Sequence, residues 1–137
     1  MGLDQYAYYE DSEDVQIEIA YWRKHNRLQG WMQELWESKG RPNFDESTDN
    51  GGLGDFNCIP VELNDADLDD LEAHVCNKDM PETGGFFFGD DSFEWKDEDG
   101  EQYKGKDYLH KQTDIDFIEK AKQAIKDGYK VFYNCWY

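Results

Sequence analysis

The chain has 137 residues and carries 32 acidic side chains against 14 basic ones, a formal charge of -18. A surface that negative repels nucleic acid and anionic membranes and attracts basic protein surfaces or cations. Nine tyrosines, eight phenylalanines and five tryptophans argue against an acidic disordered tail, which has no core for aromatics to fill.

The length fits one domain, able to bury about two thirds of the surface its unfolded form exposes. Leu3 to Tyr9 alternates Leu3, Gln5, Ala7 and Tyr9 against Asp4, Tyr6 and Tyr8, as a strand does. The acidic run from Glu10 to Asp14 turns the chain. From Val15 to Ser38, Ile17, Ala20, Tyr21, Leu28, Trp31, Met32, Leu35 and Trp36 predict one long helix with a broad apolar face, ended by Gly40 and Pro42. Residues 39–57, with Asn50, Gly51, Gly52 and Gly54, read as a long mobile loop.

Cys58 to Leu63 predicts a short strand that Pro60 places at an edge or a strand start. Asn64 or Asp65 caps a helix running to Asn77, with Leu68, Leu71 and Val75 inward and Asp65, Asp67, Asp69, Asp70 and Glu72 outward. Gly84, Gly85 and Gly89 bracket Phe86, Phe87 and Phe88, which cannot all point to one side of a strand. Ser92 to Lys96 and Gln102 to Lys104 predict a hairpin around Asp97 to Gly100. Thr113 opens the last helix, with Asp114 and Asp116 in its first turn, Ile118, Ala121 and Ile125 on its stripe, and Gly128 as its stop. Tyr129 to Tyr137 alternates as a final strand. The expected fold class is α+β: a single domain with an antiparallel or mixed sheet, the two terminal strands pairing at its centre, covered by three helices.

Chemistry is harder to place. Trp22, Asn26, Gln29 and Gln33 lie at three- and four-residue spacing beside Arg23 and Lys24, a flank able to stack a planar ring and hydrogen-bond its edge, with Phe87 as a wall. The bland alternative, preferred here, makes Trp22 a core contact. The acidic turns lack calcium-loop spacing; Asp90, Asp91, Asp97 and Asp99 read as a solvated acidic hairpin, with weak divalent binding as the alternative. His74 and Cys76 face different ways on a helix, and His25 and His110 have no nearby cysteine, so zinc is not expected. There is no nucleophile elbow and no phosphate-binding glycine loop. Three cysteines, Cys58, Cys76 and Cys135, cannot all pair within the chain, and no leader or membrane-length apolar run is seen, so a reducing cytoplasm is expected.

The residues Met1, Gly2, Leu3, Asp4 and Tyr6, then Tyr21, Trp22, Arg23, Lys24, Asn26 and Trp31, then Gly85, Phe86, Phe87, Phe88 and Gly89 resemble, in order, a family of small bacteriophage proteins of no secure function. Some of its members bear a phosphoglycerate kinase label, which a chain this short without a nucleotide site does not support. Where the family's helix has histidine this chain has Gln29, which transfers no protons near neutral pH, so binding is favoured over catalysis. The resemblance implies a virus-encoded accessory protein in a bacterial cytoplasm.

The expectation is therefore a phage-encoded acidic protein that binds and modulates or inhibits a host protein with a basic, nucleic-acid-binding type of surface. Mimicry of nucleic-acid charge is one route. The candidate partner-binding residues are Asp65, Asp67, Asp69, Asp70, Glu72, Asp90, Asp91, Glu94, Asp97, Glu98, Asp99 and Glu101. A nucleotide-like ligand held by Trp22, Arg23, Lys24, Asn26, Gln29 and Phe87 is the alternative. No cofactor or metal, no direct nucleic-acid or membrane contact, and a monomer or small homo-oligomer complete the reading.

Overall fold

The computed structural model describes residues 3–42, 56, 58–81, 83 and 91–136. Most of the loop expected over 39–57, the phenylalanine run Phe86 to Phe88 with its glycines, and Asp90 lie outside these residues. Among the described residues four strands and three helices follow one another as β1 (Asp4–Glu10), β2 (Gln16–Arg23), α1 (Asn26–Ser38), β3 (Val61–Leu63), α2 (Asp65–Asn77), α3 (Lys111–Lys126) and β4 (Lys130–Trp136). The strands form one antiparallel sheet in the order β2-β1-β4-β3. Among the described residues the fold is thus the α+β domain expected, with the terminal strands β1 and β4 side by side at its centre.

The long helix expected from Val15 to Ser38 is corrected. Its first third is β2, and only Asn26–Ser38 is helical. Val15 to Trp22 alternates apolar and polar side chains as readily as it repeats them at helical spacing. The β-branched Val15, Ile17 and Ile19 suit a pleated strand, and pairing with β1 decides the matter. Two residues with positive φ make the geometry work. Asp14 (φ 61°) closes the β1–β2 turn, where the Asp11 carboxylate accepts the amides of Glu13 and Val15 at 2.9 and 3.0 Å. Lys24 (φ 57°) redirects the chain from β2 into α1.

The register passes from Ala7 opposite Ala20 to Tyr8 opposite Glu18, so Ile19 is the extra residue of a β-bulge. Along β1 and β4 the inward residues Leu3, Gln5, Ala7, Val131, Tyr133 and Cys135 are buried. Against them pack Leu28, Met32 and Trp36 of α1, Leu68, Leu71 and Val75 of α2, and Phe117, Ile118 and Ala121 of α3. Among the described residues the short β3, just after Pro60, pairs with β4 alone and forms the sheet edge.

Helix α2 opens with a reciprocal cap: the Asn64 side chain accepts the Asp67 amide at 2.8 Å and the Asp67 carboxylate accepts the Asn64 amide at 3.0 Å. Helix α3 begins at Lys111, two residues before Thr113, and the chain leaves it through Gly128 at φ 94°. The hairpin expected over 92–104 shrinks to a single bridge between Lys96 and Gln102. The Asp97 carboxylate holds that turn by accepting the amides of Asp99 and Glu101.

Candidate functional site

The flank expected from Trp22, Arg23, Lys24, Asn26 and Gln29 does not form on one helix, because Trp22 and Arg23 are neighbours on a strand and point to opposite faces. Trp22 turns into the core at 1 % exposure, and Arg23 lies outside, bound to Asp4 at 2.7 Å. Asn26 and Gln29 are buried on α1. What these side chains build instead is a sealed polar network.

At its centre, His25 Nε2 and Asp114 Oδ2 are 2.8 Å apart, and His25 Nδ1 and Ser92 Oγ 3.0 Å. Asp114 also accepts the Trp22 indole N–H at 2.8 Å and the Tyr108 hydroxyl at 2.5 Å. Burial and the Asp114 charge push the Tyr108 phenol far above its usual range. Gln5 clamps the His25 peptide from both sides: its amide nitrogen donates to the His25 carbonyl at 2.9 Å and its oxygen accepts the His25 amide at 2.8 Å. Gln5 also donates to the Tyr133 hydroxyl, which in turn donates to Gln29. Asn26 Oδ1 accepts the Ser92 amide at 3.0 Å.

Serine, histidine and aspartate in a chain are the parts of a nucleophilic relay. Here Ser92, His25 and Asp114 are all fully buried, and a nucleophile must meet its substrate. A carboxylate accepts only, so His25 donates from Nε2; a neutral ring then accepts the Ser92 proton at Nδ1. The network's work is to tie β1, α1, α3 and the segment at Ser92 together across the core. The buried polar groups find partners and specify one packing.

One ring stands apart. His110 stacks on His25 with centroids 4.7 Å apart and meets the edge of Trp95 at 5.0 Å. Its Nε2 is buried and has no hydrogen-bond partner among the described residues. Burial, with repulsion from His25, pulls its pKa down to about 4 against the opposing pull of Asp114 and of a hydrogen bond to the Arg23 backbone.

The acidic candidates divide. Asp91 is structural: Arg27 grips it at 2.8 and 2.5 Å while bonding the Met80 carbonyl, and this pair holds the Asp91 carboxyl below its usual range. Asp67 caps α2 and binds Lys39 at 2.6 Å, and Asp97 organises its own turn. Asp65, Asp69, Asp70, Glu72, Glu94, Glu98, Asp99 and Glu101 are exposed. Lys122 of α3 reaches Asp69 at 2.8 Å and Glu72 at 3.5 Å, and His74 lies 2.6 Å from Asp79 and 3.6 Å from Asp70. Asp90 and Phe87 are outside the described residues. Among the described residues no three His, Cys, Asp or Glu side chains group to hold a metal ion, and no helix is long and apolar enough to cross a membrane.

Sequence reasoning missed Gln5, Ser92, Tyr108, His110 and Asp114 as partners of His25, and Tyr133 as the partner of Gln5 and Gln29. One signal was available: Gln5 shares its strand face with Leu3 and Ala7, and a glutamine on an apolar face needs a buried partner. No family model matches the chain, and no curated protein or solved structure shows significant similarity to it.

Proposed function

We propose that this chain is a phage-encoded acidic accessory protein that docks on the basic surface of a bacterial host protein and modulates or inhibits it. The observation that carries this reading is a division of labour. Ser92, His25 and Asp114, which could form a nucleophilic relay, are sealed in the core, whereas the carboxylates of α2 and the 94–101 turn are exposed, Asp69 and Glu72 with Lys122 of α3 beside them. Asp65, Asp69 and Glu72 follow one another at i, i+4 and i+7, a stripe about 10 Å long at 1.5 Å per residue. Carboxylates fixed on a rigid helix present negative charge to a partner as nucleic-acid phosphates do, and release its counterions in the same way.

The test is capture from bacterial lysate at low and high salt, comparing the native chain with a variant in which Asp65, Asp69 and Asp70 become Asn and Glu72 becomes Gln. Asp67 is left intact because it caps the helix. The expected result is a nucleic-acid-binding protein that is retained at low salt, displaced by duplex DNA, and lost with the four changes. Capture that survives both the changes and the DNA refutes the reading.

A further inference from the structure

All three helices pack on one side of the sheet, and among the described residues nothing covers the other. That open face is aromatic. Tyr6 and Tyr8 stand on β1, Tyr21 on β2, and Phe132 and Trp136 on β4, with Tyr21 46 % and Trp136 61 % exposed. Their ring contacts set a particular shape. Tyr6 leans toward β2, its ring 5.3 Å from Tyr21, while Tyr8 leans toward β4, stacking on Phe132 at 5.5 Å. Neighbours on one strand face thus splay to opposite sides. The gap between them is a shallow dish of about 270 Å³ lined by Tyr6, Tyr8, Gln16, Glu18 and Asn134. Glu18 sits opposite Tyr8 because the bulge at Ile19 shifts the register there; without it, Ile19 would face Tyr8.

The dish combines two phenol rings, a carboxylate and two carboxamides, and contains no cation. Arg23, the nearest arginine on this face, is already held by Asp4. Partial burial together with Asp4 and Glu18 raises the Tyr6 phenol against a smaller opposing pull from Arg23, and burial together with Glu10 raises that of Tyr8, so carboxylates outweigh the one cation nearby. We infer that the dish between Tyr6 and Tyr8 is a recognition site for an arginine side chain presented by a basic protein segment. The planar guanidinium stacks on the tyrosine faces, donates to the Glu18 carboxylate, and places its remaining N–H groups against the Gln16 and Asn134 side-chain oxygens. A lysine ammonium offers no flat face and fewer donors. A second copy of this chain, itself carrying a charge of -18, is repelled. The inference rests on the proposed function for its protein partner, and moves the specific contact from the acidic helix to the open sheet.

The experiment titrates the full chain with three unstructured decapeptides of equal length, rich respectively in arginine, lysine and citrulline, and follows backbone amide shifts by NMR. The arginine peptide is expected to shift Tyr6, Tyr8, Gln16, Glu18 and Asn134, and to bind several-fold more tightly than the lysine peptide; the citrulline peptide should not bind. Tyr8→Leu and Glu18→Gln, both at solvent-accessible positions, should each weaken binding about three- to tenfold with an unchanged amide spectrum elsewhere. Equal affinity for lysine, shifts confined to α2, or binding indifferent to both substitutions overturns the arginine site and leaves the acidic-docking reading intact. Absence of binding by either cationic peptide, at low salt, overturns both.

Discussion

Acidification tests the packing beside the sealed network, through the His110 ring stacked on His25. In the folded chain its pKa is about 4, against an ordinary value of 6.5. At pH 7 the ring is neutral in both states and contributes nothing. Below pH 6.5 the unfolded chain takes up a proton that the folded chain refuses, so stability falls with pH until the folded pKa is reached. The difference of about 2.5 units corresponds to about 3 kcal/mol at pH 4, of which about 2 kcal/mol has been lost by pH 5. At pH 5 most carboxylates remain ionised, so the two effects separate. Urea denaturation of the native chain and of His110→Gln, at half-unit steps from pH 7.5 to 5, reads the loss. The native curve should fall about 2 kcal/mol further than that of the variant, whatever constant offset the substitution adds at neutral pH. Parallel curves, or an NMR titration in which the His110 ring protonates near pH 6.5, would refute the burial of this ring and its unpartnered Nε2.

Other consequences are equally open to measurement. Asp114→Asn leaves His25, Trp22 and Tyr108 facing a neutral amide in a fully buried site, and should cost about 1 to 3 kcal/mol by urea denaturation; an unchanged stability contradicts a shared acceptor there. Gly30 lies within α1, where alanine would ordinarily favour a helix, yet a Cβ at this position would come within 1.7 Å of the Thr83 hydroxyl. Gly30→Ala should therefore destabilise by about 1 to 3 kcal/mol, and Thr83→Gly should recover most of it; a stabilised single variant rules out that close approach.

Much of the fold could be read from periodicity. Helix α2 and its Asn64 cap, helix α3 to within two residues, and both terminal strands carry local signals that tertiary packing reinforces. Strand β2 was misread because Val15 to Trp22 satisfies two periods at once, and only its partner β1 chooses between them. The His25 network was invisible for a different reason. Gln5 and His25 are 20 residues apart, Ser92 and His25 67, Asp114 and His25 89, and Gln5 and Tyr133 128. No spacing rule spans such separations. Asp114 and Asp116 look alike in the sequence, two residues apart near the start of α3, but Asp114 is buried and Asp116 exposed. The aromatic dish was hidden likewise, since it depends on a bulge and on the directions in which two tyrosines lean.

The central pairing of β1 with β4 also sets a clock. Asp4 lies opposite Trp136 and Glu10 opposite Lys130, so the middle of the sheet joins segments from nearly opposite ends of the sequence. The β1–β2 hairpin can form as soon as Arg23 leaves the ribosome, but it has no second neighbour until Trp136 emerges. At about 5 to 20 residues per second, that is a wait of several seconds or more. For most of it the Gln5 side chain has no Tyr133 and the Trp22 indole no Asp114 to meet. Closure of the ring of contacts around His25 is then an event after synthesis of these residues, and its long loop closure places folding on the slow side for a chain of this size.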